Sequence, residues 1–222
     1  ARRKIEFDLL IADSPLQFAK FDMIIKNSNL DIILNFYKQK DWTISCKDLR
    51  LRKIEKKGKS GIIHEISYNN NSDQHILVSL DDFSLHQNVK SRFKNYRVTD
   101  YDPNAMYKQH NERKHNYLIS KDIIEADLII NIPKLKTHRK AGITCALKNL
   151  IGINGHKEYL PHHTKGSIIE EGDEYLNKSS CKMHISNLND KINQSTKVRK
   201  ILFYKYQIKI LRKFIKLFGK DQ

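Results

Sequence analysis

The chain reads as an α/β protein, with a mixed, mainly parallel sheet, flanking helices, a β-rich insertion and a basic carboxyl-terminal helix. Three observations predict this. An apolar run stops abruptly at Asp13-Ser14-Pro15, as a buried strand stops at a turn. Residues 120–151 pass through helical, strand and helical patterning. Residues 204–218 repeat apolar positions at steps of three and four.

The 222 residues are enough to bury a real core without staples. Cys46, Cys145 and Cys181 are isolated, without the close spacing of a disulfide framework, a zinc site or an iron–sulfur cluster. A reduced, cytoplasmic compartment is the simplest fit, and no apolar run is long enough to span a bilayer. The chain opens at Ala1 and enters the apolar segment 5–12 almost at once, which predicts a piece of a longer protein.

Residues 5–12 form the first expected strand, followed by helices near residues 17–26 and 30–38. Strand signals then cover 43–46, 61–68 and 75–80, with a polar turn at 69–73, and this stretch, about 42–80, looks like an antiparallel insertion. Ser120 is placed to cap a short helix leading into a strand over 127–132, which ends at Pro133. Residues 141–151 have helical spacing, with Ile143, Leu147 and Leu150 on one face and Cys145 in the core, and Gly152 and Gly155 close the helix. The expected organisation is an α/β domain over 1–155, a polar loop or partly disordered segment over 156–195 and a basic amphipathic helix over 196–222.

Lys and Arg number 41 against 25 Asp and Glu, a formal charge of +16. Nine of the basic residues lie between Lys197 and Lys220 with no acidic one among them, so more than half of the surplus sits in the tail. That segment has three readings: packing against another part of the protein, contact with nucleic acid, or contact with an anionic membrane.

Ligands of open α/β sheets bind beyond the carboxyl ends of strands. Asp13 and the loop 134–138 both follow expected strands. The loop offers the ammonium groups of Lys134 and Lys136, the hydroxyl of Thr137 and the imidazole of His138, a set suited to a phosphate or carboxylate. His138 can carry protons or bind a metal, or can simply cap the next element. Asp13 equally fits a turn-capping role. His156, His162, His163 and Asp173 match no standard zinc spacing and read better as part of a polar loop.

Asp127 through His138, with Pro133-Lys134-Leu135-Lys136-Thr137-His138 at its centre, then Gly142-Ile143-Thr144 and Ala146-Leu147-Lys148-Asn149-Leu150-Ile151-Gly152, resembles the signature of the domain of unknown function 362 family. The similarity also touches Asp13-Ser14-Pro15, Asp48-Leu49-Arg50, His162-His163 and Gly172-Asp173. The resemblance implies an α/β fold and a site at Lys134, Lys136, His138, Lys148 and Asn149. On this basis the expected function is an enzyme, or part of one, that binds an anionic small molecule, with His138 and Lys136 as catalytic candidates and Lys134, Thr137, Lys148, Asn149 and Asp13 as ligand contacts. Some relatives carry a ferredoxin-like module, but without clustered cysteines no iron–sulfur cluster is expected within this chain. The cofactor and metal are left open. The alternative is a non-enzymatic binding protein that uses residues 197–220 on nucleic acid or an anionic membrane.

Overall fold

The computed structural model describes residues 6–57, 63–67, 72–138 and 140–218. In chain order they form β1 (Leu9–Asp13), α1 (Phe21–Asn27), α2 (Leu30–Lys38), β2 (Ile44–Asp48), β3 (Arg52–Lys57), β4 (Ile63–Ser67) and β5 (His75–Ser79). There follow β6 (Tyr96–Arg97), α3 (Pro103–Gln109), β7 (Asn116–Ser120), α4 (Lys121–Ile124), β8 (Lys136–His138), β9 (Gly142–Thr144) and α5 (Ala146–Ile151). The last elements are β10 (His163–Thr164), α6 (Ser180–Asn193) and α7 (Val198–Phe218), with short 3-10 turns between several of them. The fold is mixed α/β, with small two-stranded sheets and flanking helices. β3 and β4 pair with each other in one of these sheets.

The chain divides into two compact units. One comprises the described residues through Ile54, those of Ile66–His75, and Ser120–Gly155. The other comprises the described residues of Glu55–Glu65 and Ile76–Ile119, and those from His156 onward.

In the first unit β1 and β2 run parallel, in a register that sets Leu9 against Ile44 and Asp13 against Asp48. Parallel neighbours need a crossover, and α1 and α2 supply it. The carboxyl ends of both strands are then fixed by side chains. Asp48 grips Arg50, and the Arg50 guanidinium donates to the carbonyls of Leu16 (2.7 Å), Gln17 (3.2 Å) and Ala19 (3.0 Å). The turn after β1 is therefore held in place by one buried arginine.

The second unit is built around Phe93, Tyr96, Val98, Tyr101 and Met106. Asp102 caps α3 by accepting from the Asn104 N–H, and Pro103 starts the helix where its missing N–H costs nothing. β5 pairs with β7, and β6 pairs antiparallel with β10. α6 and α7 pack together, burying Leu188 of α6 and Ile201 and Ile208 of α7. Among the described residues no helix is long and apolar enough to cross a membrane.

Several sequence expectations are corrected. Residues 127–132 form no strand: the segment is irregular, with Leu128 77% and Ile132 81% exposed. Strand-forming side chains do not make a strand where no neighbour offers a hydrogen-bonding edge. The helix expected over 141–151 begins only at Ala146. Gly142 takes φ +70°, which turns the chain and lets β9 pair back on β8. Cys145 is consequently exposed rather than in the core. β2 leaves the expected antiparallel insertion because it pairs parallel with β1. The loop expected over 156–195 contains α6, whose Cys181, Ile185, Leu188 and Ile192 form one stripe, and whose Ser179 side chain accepts from the Lys182 N–H. Ser120 precedes α4 as expected, but its hydroxyl donates to the Asp122 carboxylate instead of capping the backbone. Residue 5 of the first expected strand, residues 61, 62 and 68 of the strand expected over 61–68, and residues 69–71 of the expected turn lie outside the described residues.

Candidate functional site

All the site residues predicted from sequence fall in the first unit. Asp13 is the last residue of β1. Its carbonyl accepts from the Leu49 N–H (2.9 Å), and its carboxylate accepts from the Ser14 N–H (2.8 Å). The Ser14 hydroxyl donates to the Asn154 carbonyl (3.0 Å), and the Leu51 N–H donates to the Gly155 carbonyl (2.8 Å). These bonds bring the turn after α5 against the carboxyl ends of β1 and β2. The closeness is visible at Gly152, where a Cβ would stand 2.9 Å from the Asn149 carbonyl and 3.3 Å from an Asp13 carboxylate oxygen. Asp13 thus lies beside the end of the helix that carries Lys148 and Asn149.

Asn149 has a further task. Its side-chain amide donates to the Asn131 side-chain Oδ1 (2.7 Å), and the Asn131 side-chain amide donates to the Ala146 backbone carbonyl (3.0 Å). This two-asparagine clamp ties α5 to the irregular segment leading into Lys134. Sequence reasoning missed Asn131. The available signal was a lone amide inside the apolar run from Leu128 to Ile132, where a polar side chain needs a partner.

Lys136 and His138 lie on β8, which pairs with β9 in the register Lys136 with Thr144, Thr137 with Ile143 and His138 with Gly142. Side chains alternate along a strand, so Lys136 and His138 share one face and Thr137 lies with Ile143 on the other. Lys134 precedes the hairpin, and Lys134, Lys136, Thr137 and Lys148 are exposed. The expected strand, basic loop and helix is therefore an irregular segment, a hairpin and a six-residue helix.

The orientation of His138 is specific. Its Nδ1 accepts from the backbone N–H groups of Lys140 and Ala141, each at 3.2 Å. A nitrogen that receives two N–H donors holds its lone pair toward them, so the imidazole proton resides on Nε2. A histidine that binds a metal through Nε2 instead presents an N–H at Nδ1. His138 is set up as a hydrogen-bond donor through Nε2, and this arrangement opposes a metal bound at that atom.

His156 and His163 have structural surroundings. The His156 ring is buried and makes edge contacts with Tyr101 and Tyr159. His163 lies 3.4 Å from Glu174, whose carboxyl is raised by burial but held below its ordinary value by hydrogen bonds from His163, Ser186 and the Gly166 N–H together with the His163 charge. Asp173 accepts from the Thr164 N–H. Among the described residues no group of three or more His, Cys, Asp or Glu side chains gathers in a way that could hold a metal ion.

A family model described as Domain of unknown function (DUF362) matches residues 52–215. The match takes in the hairpin, α5 and nearly all of α7, and begins after Asp13 and Asp48. No curated protein and no solved structure matches the chain.

Proposed function

The chain belongs to the Domain of unknown function (DUF362) family, and from that premise we propose that it is an enzyme, or part of one, that binds an anionic small molecule at the β8–β9 hairpin. The ligand carries a carboxylate or phosphate. Lys136 neutralises its charge, Lys134 adds a second cation from the approach to the strand, and His138 donates a hydrogen bond from Nε2. Lys148 and Asn149 act from α5, Thr137 faces away from the ligand on the far side of the hairpin, and Asp13 orders the turn beside α5.

The observation that carries this reading is the shared face of Lys136 and His138 together with the fixed imidazole of His138. A cation and an oriented N–H donor two residues apart on a strand match two oxygens of one anion. The same Nε2–H can stabilise negative charge that develops on an oxygen of a bound ligand.

Isothermal titration with inorganic phosphate and, separately, with succinate tests the proposal. The wild-type chain binds at least one of them, and His138→Ala or Lys136→Ala weakens that binding roughly tenfold or more, the worth of one charge-assisted hydrogen bond. Equal affinity in wild type and both variants defeats the proposal, as does the absence of any binding.

A further inference from the structure

α7 carries two apolar stripes, and α6 covers only one of them. Ile201 and Ile208 are buried, with Tyr204, Leu211 and Ile215 half-buried beside them. The second stripe consists of Phe203, Tyr206, Ile210, Phe214 and Leu217, also at steps of three and four, with exposures of 57%, 63%, 50%, 50% and 72%. Five large apolar residues in one row on a helix form a contiguous patch, unlike a scatter of single exposed side chains.

The helix surface beside this stripe is rich in cations. Lys209, Arg212, Lys213 and Lys216 run alongside the exposed stripe, and α7 has no acidic residue. The carboxylates nearby are already engaged. Asp190 is held by Arg97 (2.8 Å) and Lys165 (2.6 Å), and Glu174 by His163 (3.4 Å). Lys209, Arg212, Lys213 and Lys216 therefore stay available to an outside partner.

We propose that α7 lies in the plane of an anionic lipid bilayer, its second stripe inserted among the upper acyl chains and its lysines and arginine against the lipid phosphates. An apolar row bordered by cations is the pattern of an interfacial helix. Long basic side chains bury their methylenes and still reach the headgroups. Nucleic acid matches the cations but leaves the aliphatic part of the stripe, Ile210 and Leu217, in water. A second copy of the chain matches the apolar stripe but sets one cationic row against another.

Vesicle sedimentation with the full chain tests this, using phosphatidylcholine alone and phosphatidylcholine mixed with phosphatidylserine. The wild-type chain sediments with the mixed vesicles and not with the neutral ones. Lys209→Ala combined with Lys213→Ala lowers partitioning roughly tenfold or more, since each basic residue at an anionic surface contributes about fivefold. Ile210→Ser combined with Phe214→Ser abolishes it, with an unchanged circular dichroism spectrum to show that these exposed positions leave the fold intact. Lys136→Ala still sediments, which separates this result from any outcome at the hairpin. The proposal is overturned if no variant of the chain, wild type included, sediments with the mixed vesicles, or if Ile210→Ser with Phe214→Ser leaves sedimentation unchanged. It is equally overturned if light scattering shows a dimer that this double variant dissolves while vesicles go unbound. Salt-sensitive binding to an oligonucleotide, without vesicle binding, assigns the row to nucleic acid instead.

Discussion

The Nδ1 atoms of His110 and His115 lie 3.3 Å apart, and both residues are fully buried. The proton positions follow from their other partners. His110 Nε2 is 3.0 Å from the Tyr159 carbonyl, which can only accept, so Nε2 carries the proton. His110 Nδ1 is then an acceptor and His115 Nδ1 the donor. Both rings are neutral. His86, in ring contact with both, is hydrogen-bonded to the Tyr96 hydroxyl at 2.7 Å.

Acid should therefore unfold the protein through this cluster. Burial pushes His110 down to about 4 from an ordinary 6.5, and burial lowers His86 and His115 as well. The folded state resists the proton that the unfolded chain accepts, so the stabilisation is complete above about pH 6.5 and is lost as the pH falls from there toward 4. For His110 the loss corresponds to about 3 kcal/mol. Urea midpoints measured from pH 7.5 to 4.5 should fall across that window. His110→Gln keeps a donor for the Tyr159 carbonyl and cannot titrate, so it should flatten the fall; an equally steep fall in that variant places the effect elsewhere.

Removing Arg50 should be among the most damaging changes in the first unit. Its side chain is 1% exposed and that of Asp48 is 7%, and the two are paired at 2.6 Å. Arg50→Ala strands a buried carboxylate and releases the carbonyls of Leu16, Gln17 and Ala19, a loss of about 3 to 5 kcal/mol. Arg50→Met combined with Asp48→Asn should lose less, because no buried charge is left behind. Urea denaturation of the single and double variants decides this, and a double variant as unstable as Arg50→Ala would show that the freed carbonyls dominate.

The Asn131–Asn149 clamp is exposed, so its energy should be small but measurable. A double-mutant cycle to alanine should give a coupling of about 0.5 to 1 kcal/mol. Amide exchange over residues 128–135 should accelerate in Asn149→Ala. An unchanged exchange rate would mean that the segment is held by something other than this amide pair.

Gly172 should not tolerate a side chain. A Cβ there would meet the backbone carbonyl of Gly166, which cannot give way as a flexible side chain would, and Gly166 itself takes φ +109°. Gly172→Ala should destabilise the second unit by roughly 2 kcal/mol or more. Thermal melts check this. A melting temperature equal to wild type would show that the turn yields easily.

Elements with a local cause could be read from sequence. β1 ends where Asp13-Ser14-Pro15 turns the chain, and α2 and α7 carry their own periodicity, so their positions were predicted closely. α6 carries a stripe as well, at Cys181, Ile185, Leu188 and Ile192, but its polar composition hid it. The family resemblance also rested on local motifs and could be drawn from residues alone.

What depends on neighbours was decided by tertiary structure. Residues 127–132 have the composition of a strand yet form none, because composition supplies no hydrogen-bonding partner. Lys136 and His138 share a face because Gly142 turns the chain back on itself, not because they follow a strand. His86, His110 and His115 are separated in sequence by up to 29 positions and meet only once a core forms around them. Both apolar rows of α7 are written in its sequence. Which one is buried depends on where α6 lies, a long-range contact that no local pattern encodes.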